Sequence, residues 1–277
     1  MTSCRSGGIL VSLGVIGTGR IGSMLATALA VAAPNAALTV YNRTWDKAET
    51  LANAFPETIR AVRTLDEAID RADQIFLCLR PNDLRTVMHE IGNSLRKDQW
   101  VISTCSSISL CELETFCNSL VCKLIPSVTQ RANAGVALVM FSERWRAHDR
   151  SAFVDTLSCI GRIHTIAEED VRIYSDLTSC APAFFSHLAF LFQKAACQKG
   201  VDMATAQMLI AHMMEGLGAL VASEIYNFTT VIERVAVPGG VTEAGLTELM
   251  KMDESLFDRV LDATARRQRE ILDGGQH

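Results

Sequence analysis

The sequence predicts two domains of different class: an N-terminal α/β domain on a mostly parallel sheet, followed by an all-α C-terminal domain. Three observations carry this. Up to about residue 166, short Val/Ile/Leu-rich runs alternate with helical stretches, the pattern of strand–helix–strand units with right-handed crossovers. From about Glu168 candidate strands disappear and long helical segments follow. The chain has 277 residues, 49% of them hydrophobic, with a formal net charge of −5, so it can bury a substantial core. The expected division is 1–166 and 167–277.

The elements follow in order. Ile9–Ile16 is a strand that runs into glycines, and Arg20–Ala33 is a helix. Leu38–Tyr41 is a short strand and Asp46–Phe55 a helix. Gln74–Leu79 is an apolar run bounded by charge and Pro81, as expected of a strand covered on both faces, and Asp83–Leu95 is the helix after it. Trp100–Ser103, Lys123–Ile125, Val136–Phe141 and Arg162–Ile166 complete the strands. In the second half, Pro182–Lys199 reads as a helix with proline in its first turn. Its stretch Ala183–Phe192 carries no formal charge and needs cover all round, which points to a second copy of the chain, or else to the core of a monomeric helical domain. Met203–Ile225, Thr242–Lys251 and Ser255–Leu272 are further helices, separated by Pro238-Gly239-Gly240.

Composition excludes several functions. With 26 basic against 31 acidic residues there is no basic footprint for nucleic acid or anionic membrane. The nine cysteines are odd in number and show no C-x-x-C spacing, which argues against a disulfide framework or a zinc site; most read as small buried side chains in a reducing cytosol, with no metal expected. Arg5 and the apolar run after it resemble a secretory signal, but the run leads into Gly17-Thr18-Gly19-Arg20 rather than a cleavage site. Residues 21–42 are charge-free but alanine-rich and broken by Pro34-Asn35, unlike a membrane span. A cytoplasmic protein with a loose leader at 1–8 is expected.

The strongest motif is Gly17-Thr18-Gly19-Arg20-Ile21-Gly22, a G-x-G-x-x-G between a predicted strand and a predicted helix. Gly17 permits the tight turn, Gly19 lets a pyrophosphate approach the backbone, and Gly22 lets helix and strand pack closely, the fingerprint of a Rossmann dinucleotide site. The N–H groups at the helix start then face the phosphates. At the end of the second strand, where an NAD enzyme places Asp or Glu, this chain has Asn42-Arg43-Thr44. Arg43 suits a 2′-phosphate through its planar fork, with hydrogen bonds from Asn42 and Thr44, so NADP(H) is expected rather than NAD(H).

These motifs, with Phe76-Leu77-Cys78-Leu79-Arg80-Pro81, Thr178-Ser179-Cys180-Ala181-Pro182-Ala183 and Pro238-Gly239-Gly240-Val241-Thr242, resemble the pyrroline-5-carboxylate reductase family over nearly the whole chain. The stretches Ile125–Gly135, Ser179–Phe184 and Glu224-Ile225-Tyr226 resemble its late-competence branch, ComER. The resemblance implies a Rossmann domain, a helical domain that dimerises by interleaving helices, and NADPH-dependent reduction of a cyclic imine acid to proline. It implies that the substrate sits between the nicotinamide and the partner's helical domain. Gly239 and Gly240 would hold the substrate carboxylate on backbone N–H groups and the Thr242 hydroxyl would reach the ring nitrogen. Cys180 would stand at the substrate-facing turn, and Leu79, Arg80 and Pro81 beside the nicotinamide ribose. Because a protonated imine accepts hydride readily, positioning and exclusion of water suffice and no catalytic His or Asp is required.

The chain departs from the family pattern. Typical members have G-S-G-P-A at Ser179–Ala183, serine at Val237, and P-N-T-P at Pro126–Thr129. Lost donors of this kind cost about 1–3 kcal/mol each where the partner stays buried, so the cofactor half reads as intact and the substrate half as altered. This leaves a reductase acting on pyrroline-5-carboxylate or a related imine, a non-catalytic NADP(H)-binding regulatory protein, or a β-hydroxyacid-type dehydrogenase using Lys194 or Lys199. Among other residues, Cys180 reads as a replacement for a small serine or as a thiol activated by a helix start. His187 reads as a hydrogen-bonded core histidine or else a catalytic one, Glu224 as a site or solvated glutamate, and Arg144–Arg150, with acids at Glu143 and Asp149, as a solvated helix face rather than a nucleic-acid contact.

Overall fold

The computed structural model describes residues 12–272; the expectation for residues 1–8 lies outside them. The chain divides into two compact units, one comprising residues up to 182 with those from 267 on, the other Ala183–Arg266.

The first unit is built on eight strands: β1 (Ser12–Ile16), β2 (Ala37–Tyr41), β3 (Ile59–Ala61), β4 (Gln74–Leu77), β5 (Trp100–Ser103), β6 (Leu120–Ile125), β7 (Val136–Phe141) and β8 (Arg162–Thr165). They form one sheet in the order β3-β2-β1-β4-β5-β6-β7-β8, parallel except where β7 runs antiparallel to β6. The reversal follows from the connection. Residues 126–135 hold no crossover helix, only a 3₁₀ turn over Val128–Ala132, and the chain turns back through left-handed backbone at Asn133 and Gly135. A Cβ on Gly135 would strike the Thr129 side chain, so glycine is required there.

Side chains alternate between two apolar layers. Leu13, Val15, Phe76 and Ile102 pack on one face with α1 (Arg20–Ala32), α2 (Trp45–Ala54) and α6 (Ala147–Leu157). Ile16, Ile75, Leu77 and Val101 pack on the other with α3 (Leu65–Asp70), α4 (Pro81–Ile91) and α5 (Leu110–Phe116).

Residues 144–150 are a solvated face only in part: Arg146, Ala147 and His148 are exposed and α6 starts at Ala147, but Trp145 turns inward. Trp145 is 3% exposed, packs edge-on against Phe153 and donates from Nε1 to the Val121 carbonyl at 2.7 Å. Arg144 donates to the carbonyls of Cys117 and Glu114 near the end of α5. Pro182 also does not open a helix. α7 (Val171–Ser175) continues through a π-helical turn, Asp176–Cys180, into α8 (Ala181–Gln198). Pro182 has no N–H for the Thr178 carbonyl four residues back, and Ser127 Oγ donates to that oxygen instead at 2.8 Å. Ser179 Oγ returns the link by donating to the Pro126 carbonyl at 3.1 Å.

The second unit holds most of α8, then α9 (Met203–Ala222), α10 (Phe228–Val235), α11 (Val241–Leu249) and α12 (Leu256–Leu272), the last ending in the first unit. Within 183–266 only Ala206 is buried, while Phe190, Phe192, Met203, Leu209 and Met213 are exposed. His187 is exposed too, on an apolar groove with Phe184 and Phe257, so it is no core histidine. Glu224 lies beyond the end of α9 in left-handed backbone, with φ of 58°. No helix among the described residues is long and apolar enough to cross a membrane.

Candidate dinucleotide site

The glycine turn leaves β1 at the carboxyl end of the sheet, beside β2 and β4, where open parallel sheets bind ligands. Gly17 has φ of +94°, and its N–H donates to the Tyr41 carbonyl at 2.8 Å, fastening the turn to the end of β2. A Cβ there would lie 2.6 Å from the Cys78 carbonyl oxygen. A Cβ on Gly22 would land on the Gly17 carbonyl oxygen. Gly19 differs, since its Cβ would meet nothing within 4 Å. It serves as the N-cap of α1, whose first turn has no side-chain cap and no acidic residue. Arg20 and Ile21, in that turn, are exposed. Thr18 is 6% exposed, and its buried Oγ1 has no hydrogen-bond partner among the described residues. Uncapped helix N–H groups, an orphaned hydroxyl and open space over Gly19 suit a diphosphate.

Asn42, Arg43 and Thr44 follow β2. Asn42 Oδ1 accepts from the Thr18 N–H at 3.0 Å while its Nδ2 donates to the Thr44 carbonyl at 2.9 Å, so Asn42 locks two loops together. Thr44 is the N-cap of α2. The Arg43 side chain is 87% exposed, with Nη1 3.4 Å from Asp83 Oδ1. These residues border a cleft of about 270 Å³, together with Gly17, Leu79, Lys47 and Glu90. Arg80 is the N-cap of α4 and Pro81 its first residue. Lys47, Asp83 and Glu90 went unseen in the sequence; the signal for Lys47 was its place one turn after Arg43 on a predicted helix.

Gly239, Gly240 and Thr242 belong to the helical unit. Gly239 has φ of +74°, Gly240 is the N-cap of α11, and Thr242 is exposed in its first turn. The Gly239 N–H donates to Glu243 Oε2 at 2.7 Å, so this turn already holds a carboxylate. Cys180 stands at the end of the π-helical turn, inside a continuous helical run rather than at a helix start. Its Sγ is 3.3 Å from Arg172 Nη2. Burial pushes the thiol above its ordinary pKa, and Arg172 offsets this only in part. Burial pushes the Cys78 thiol up to about 12, against a hydrogen bond from Thr104. Alkylation of the folded protein, mapped by mass spectrometry, is therefore expected to spare Cys78 up to pH 9 and to modify Cys180 more slowly than glutathione at pH 8. Rapid modification of Cys180 would contradict this environment. Among the described residues, no three His, Cys, Asp or Glu side chains are grouped to hold a metal ion.

The sheet order and glycine turn define a Rossmann-type dinucleotide fold. A family profile described as "NADP oxidoreductase coenzyme F420-dependent" matches residues 12–107, and one described as "Pyrroline-5-carboxylate reductase dimerisation" matches residues 168–271. "ComE operon protein 4" of Bacillus subtilis (strain 168) is 31% identical over 265 residues, covering 95% of this chain and 97% of that protein. "Pyrroline-5-carboxylate reductase 3" of the same organism is 25% identical over 262 residues, covering 92% and 94%. The structure of the Plasmodium falciparum pyrroline carboxylate reductase with NADP bound superposes with a TM-score of 0.78 at 20% identity, covering 94% and 96%. The chain belongs to the pyrroline-5-carboxylate reductase family, and its likeness to the ComE operon protein places it with the late-competence branch.

Proposed function

We propose that the chain is an NADPH-dependent reductase of a cyclic imine acid, converting pyrroline-5-carboxylate to proline or acting on a related imine. The observation that carries this is the open glycine cradle with a cation, Arg43, and no carboxylate at the end of β2. Residues 1–166 hold the nucleotide and 167–277 serve the dimer and the substrate. Gly17–Gly22 take the diphosphate on backbone N–H groups, with Thr18 Oγ1 as a further donor. Asn42, Arg43 and Thr44 take the 2′-phosphate, and Leu79, Arg80 and Pro81 border the nicotinamide ribose. Bound NADPH supplies a hydride to the imine carbon. The Thr242 hydroxyl accepts from the protonated ring nitrogen, and the Gly239–Gly240 turn receives the substrate carboxylate, competing with Glu243 for the Gly239 N–H. Cys180 borders the substrate. A second copy of the chain covers the exposed apolar side chains of the helical unit, which lacks a buried core of its own.

The test is NADPH oxidation with racemic pyrroline-5-carboxylate. Thr242→Ala removes that acceptor and is expected to lower kcat/KM about five- to 150-fold, matching about 1–3 kcal/mol. Native protein turning over no faster than this variant would overturn the reading.

A further inference from the structure

The cleft beside Arg43 has two walls of opposite charge. One follows β2 and carries Arg43 and Lys47. The other is a single face of α4, where Asp83, Thr86, Val87 and Glu90 recur at i, i+3, i+4 and i+7. The two cations are thus matched by two carboxylates, and Asp83 Oδ1 is the one within reach of the guanidinium, at 3.4 Å from Nη1. Its side chain is 42% exposed and Arg43 is 87% exposed, so the pair is loose and its members are free to exchange partners.

We infer that Asp83 is a specificity-determining counter-charge of the nucleotide pocket. The inference rests on the reading of this cleft as an NADP(H) site. A ribose 2′-phosphate carries about −1.5 to −2 charges near neutral pH. To pair with it, Arg43 must give up Asp83, and the phosphate must then sit beside that carboxylate. A free 2′-hydroxyl brings no charge and meets neither penalty. Asp83 therefore weakens binding of the phosphorylated nucleotide selectively, and the native pocket separates NADPH from NADH less than its cations alone would. It also releases the oxidised nucleotide more readily, because it recaptures Arg43 as the phosphate leaves.

Asp83 also lies in the first turn of α4, where a negative charge favours the helix. A purely structural role predicts a lower melting temperature for Asp83→Asn and the same fractional loss of affinity for both nucleotides. The counter-charge predicts a split between them. The experiment is calorimetric titration of native protein and Asp83→Asn, at fixed ionic strength, with NADPH, NADH, adenosine 2′,5′-bisphosphate and 5′-AMP. Asp83→Asn is expected to bind NADPH and the bisphosphate about three- to fivefold more tightly, with NADH and 5′-AMP unchanged, and the gain shrinking as salt is raised. In an Arg43→Ala background the same substitution is expected to give less of that gain, since one of its two sources is gone. Equal changes for phosphorylated and unphosphorylated ligands, or none, would overturn the role of Asp83 while leaving the nucleotide site standing. Native protein that binds none of the four ligands would overturn the nucleotide reading itself.

Discussion

Gly22→Ala is expected to destabilise the protein by about 3 kcal/mol and to lower its melting temperature by roughly 6–12 °C. Alanine is the better helix former by about 1 kcal/mol, so propensity alone predicts the opposite sign. The close approach decides. The new Cβ would land on the Gly17 carbonyl oxygen and lie 3.0 Å from Cys78 Cβ. A backbone oxygen cannot rotate away as a side chain can, so α1 must lift from β1. That helix buries Leu25, Ala26, Ala28 and Leu29, which would lose contact together. Gly19→Ala is the complementary variant. Its Cβ meets open space, and alanine at an N-cap costs under about 1 kcal/mol, so the fold persists. The same methyl stands where the proposed diphosphate approaches, so the Kd for NADPH is expected to rise about tenfold or more. Thermal melts and NADPH titrations of both variants read the two roles separately. A Gly19→Ala protein that binds NADPH normally would remove the cradle from the site.

What the sequence made legible follows from how local each signal is. The glycine turn, Asn42-Arg43-Thr44 and the buried strands are written in contiguous residues, and the structure places them together at the ends of β1, β2 and β4. Short helices passed unread although a local signal existed. Thr64 caps α3 by accepting from the Glu67 N–H, and Ser109 caps α5 by accepting from the Glu112 N–H, each in a Thr/Ser-x-x-Glu pattern. Other features depend on distant partners. Trp145 is flanked by charge in the sequence, yet its indole N–H finds a carbonyl on β6, while Arg144 donates to backbone carbonyls at the end of α5 and Arg146 stays exposed. Pro182 reads as a helix start because nothing nearby announces that Ser127, 55 residues earlier, satisfies the carbonyl it leaves without a donor. That serine stands where typical family members carry asparagine, so one departure in the substrate half also has a structural task. His187 shows a further limit. Its apolar neighbours suggested a core, but the helix turns it to a face that the single chain leaves open.

Lys123→Met is expected to destabilise the protein by about 3 kcal/mol, as loss of one partner from a buried ion pair does. Lys123 lies within the apolar run of β6, and its side chain is 2% exposed. Strand alternation turns it toward the layer of α4 and α5, away from Cys122 and Leu124. There its Nζ donates to the Ser106 carbonyl at 3.0 Å and meets Glu168 Oε1 at 2.7 Å. The Glu168 carboxylate also accepts from the Leu110 N–H at 3.0 Å, a donor at the start of α5 that has no partner within its own helix. One ammonium thus joins β6, the loop after β5 and the residue at which the chain turns helical. Methionine preserves the length and apolar stem of lysine, so the change removes the charge without opening a large cavity. Glu168 is then left with one backbone donor and partial contact with water, its side chain being 30% exposed. Adding Glu168→Gln should recover part of the loss, because a neutral amide still accepts from Leu110 and no longer needs a cation. Urea denaturation of the native chain, both single variants and the double variant measures that coupling. Additive effects would mean that the contact between Lys123 and Glu168 contributes nothing, and the junction would then be held by packing alone.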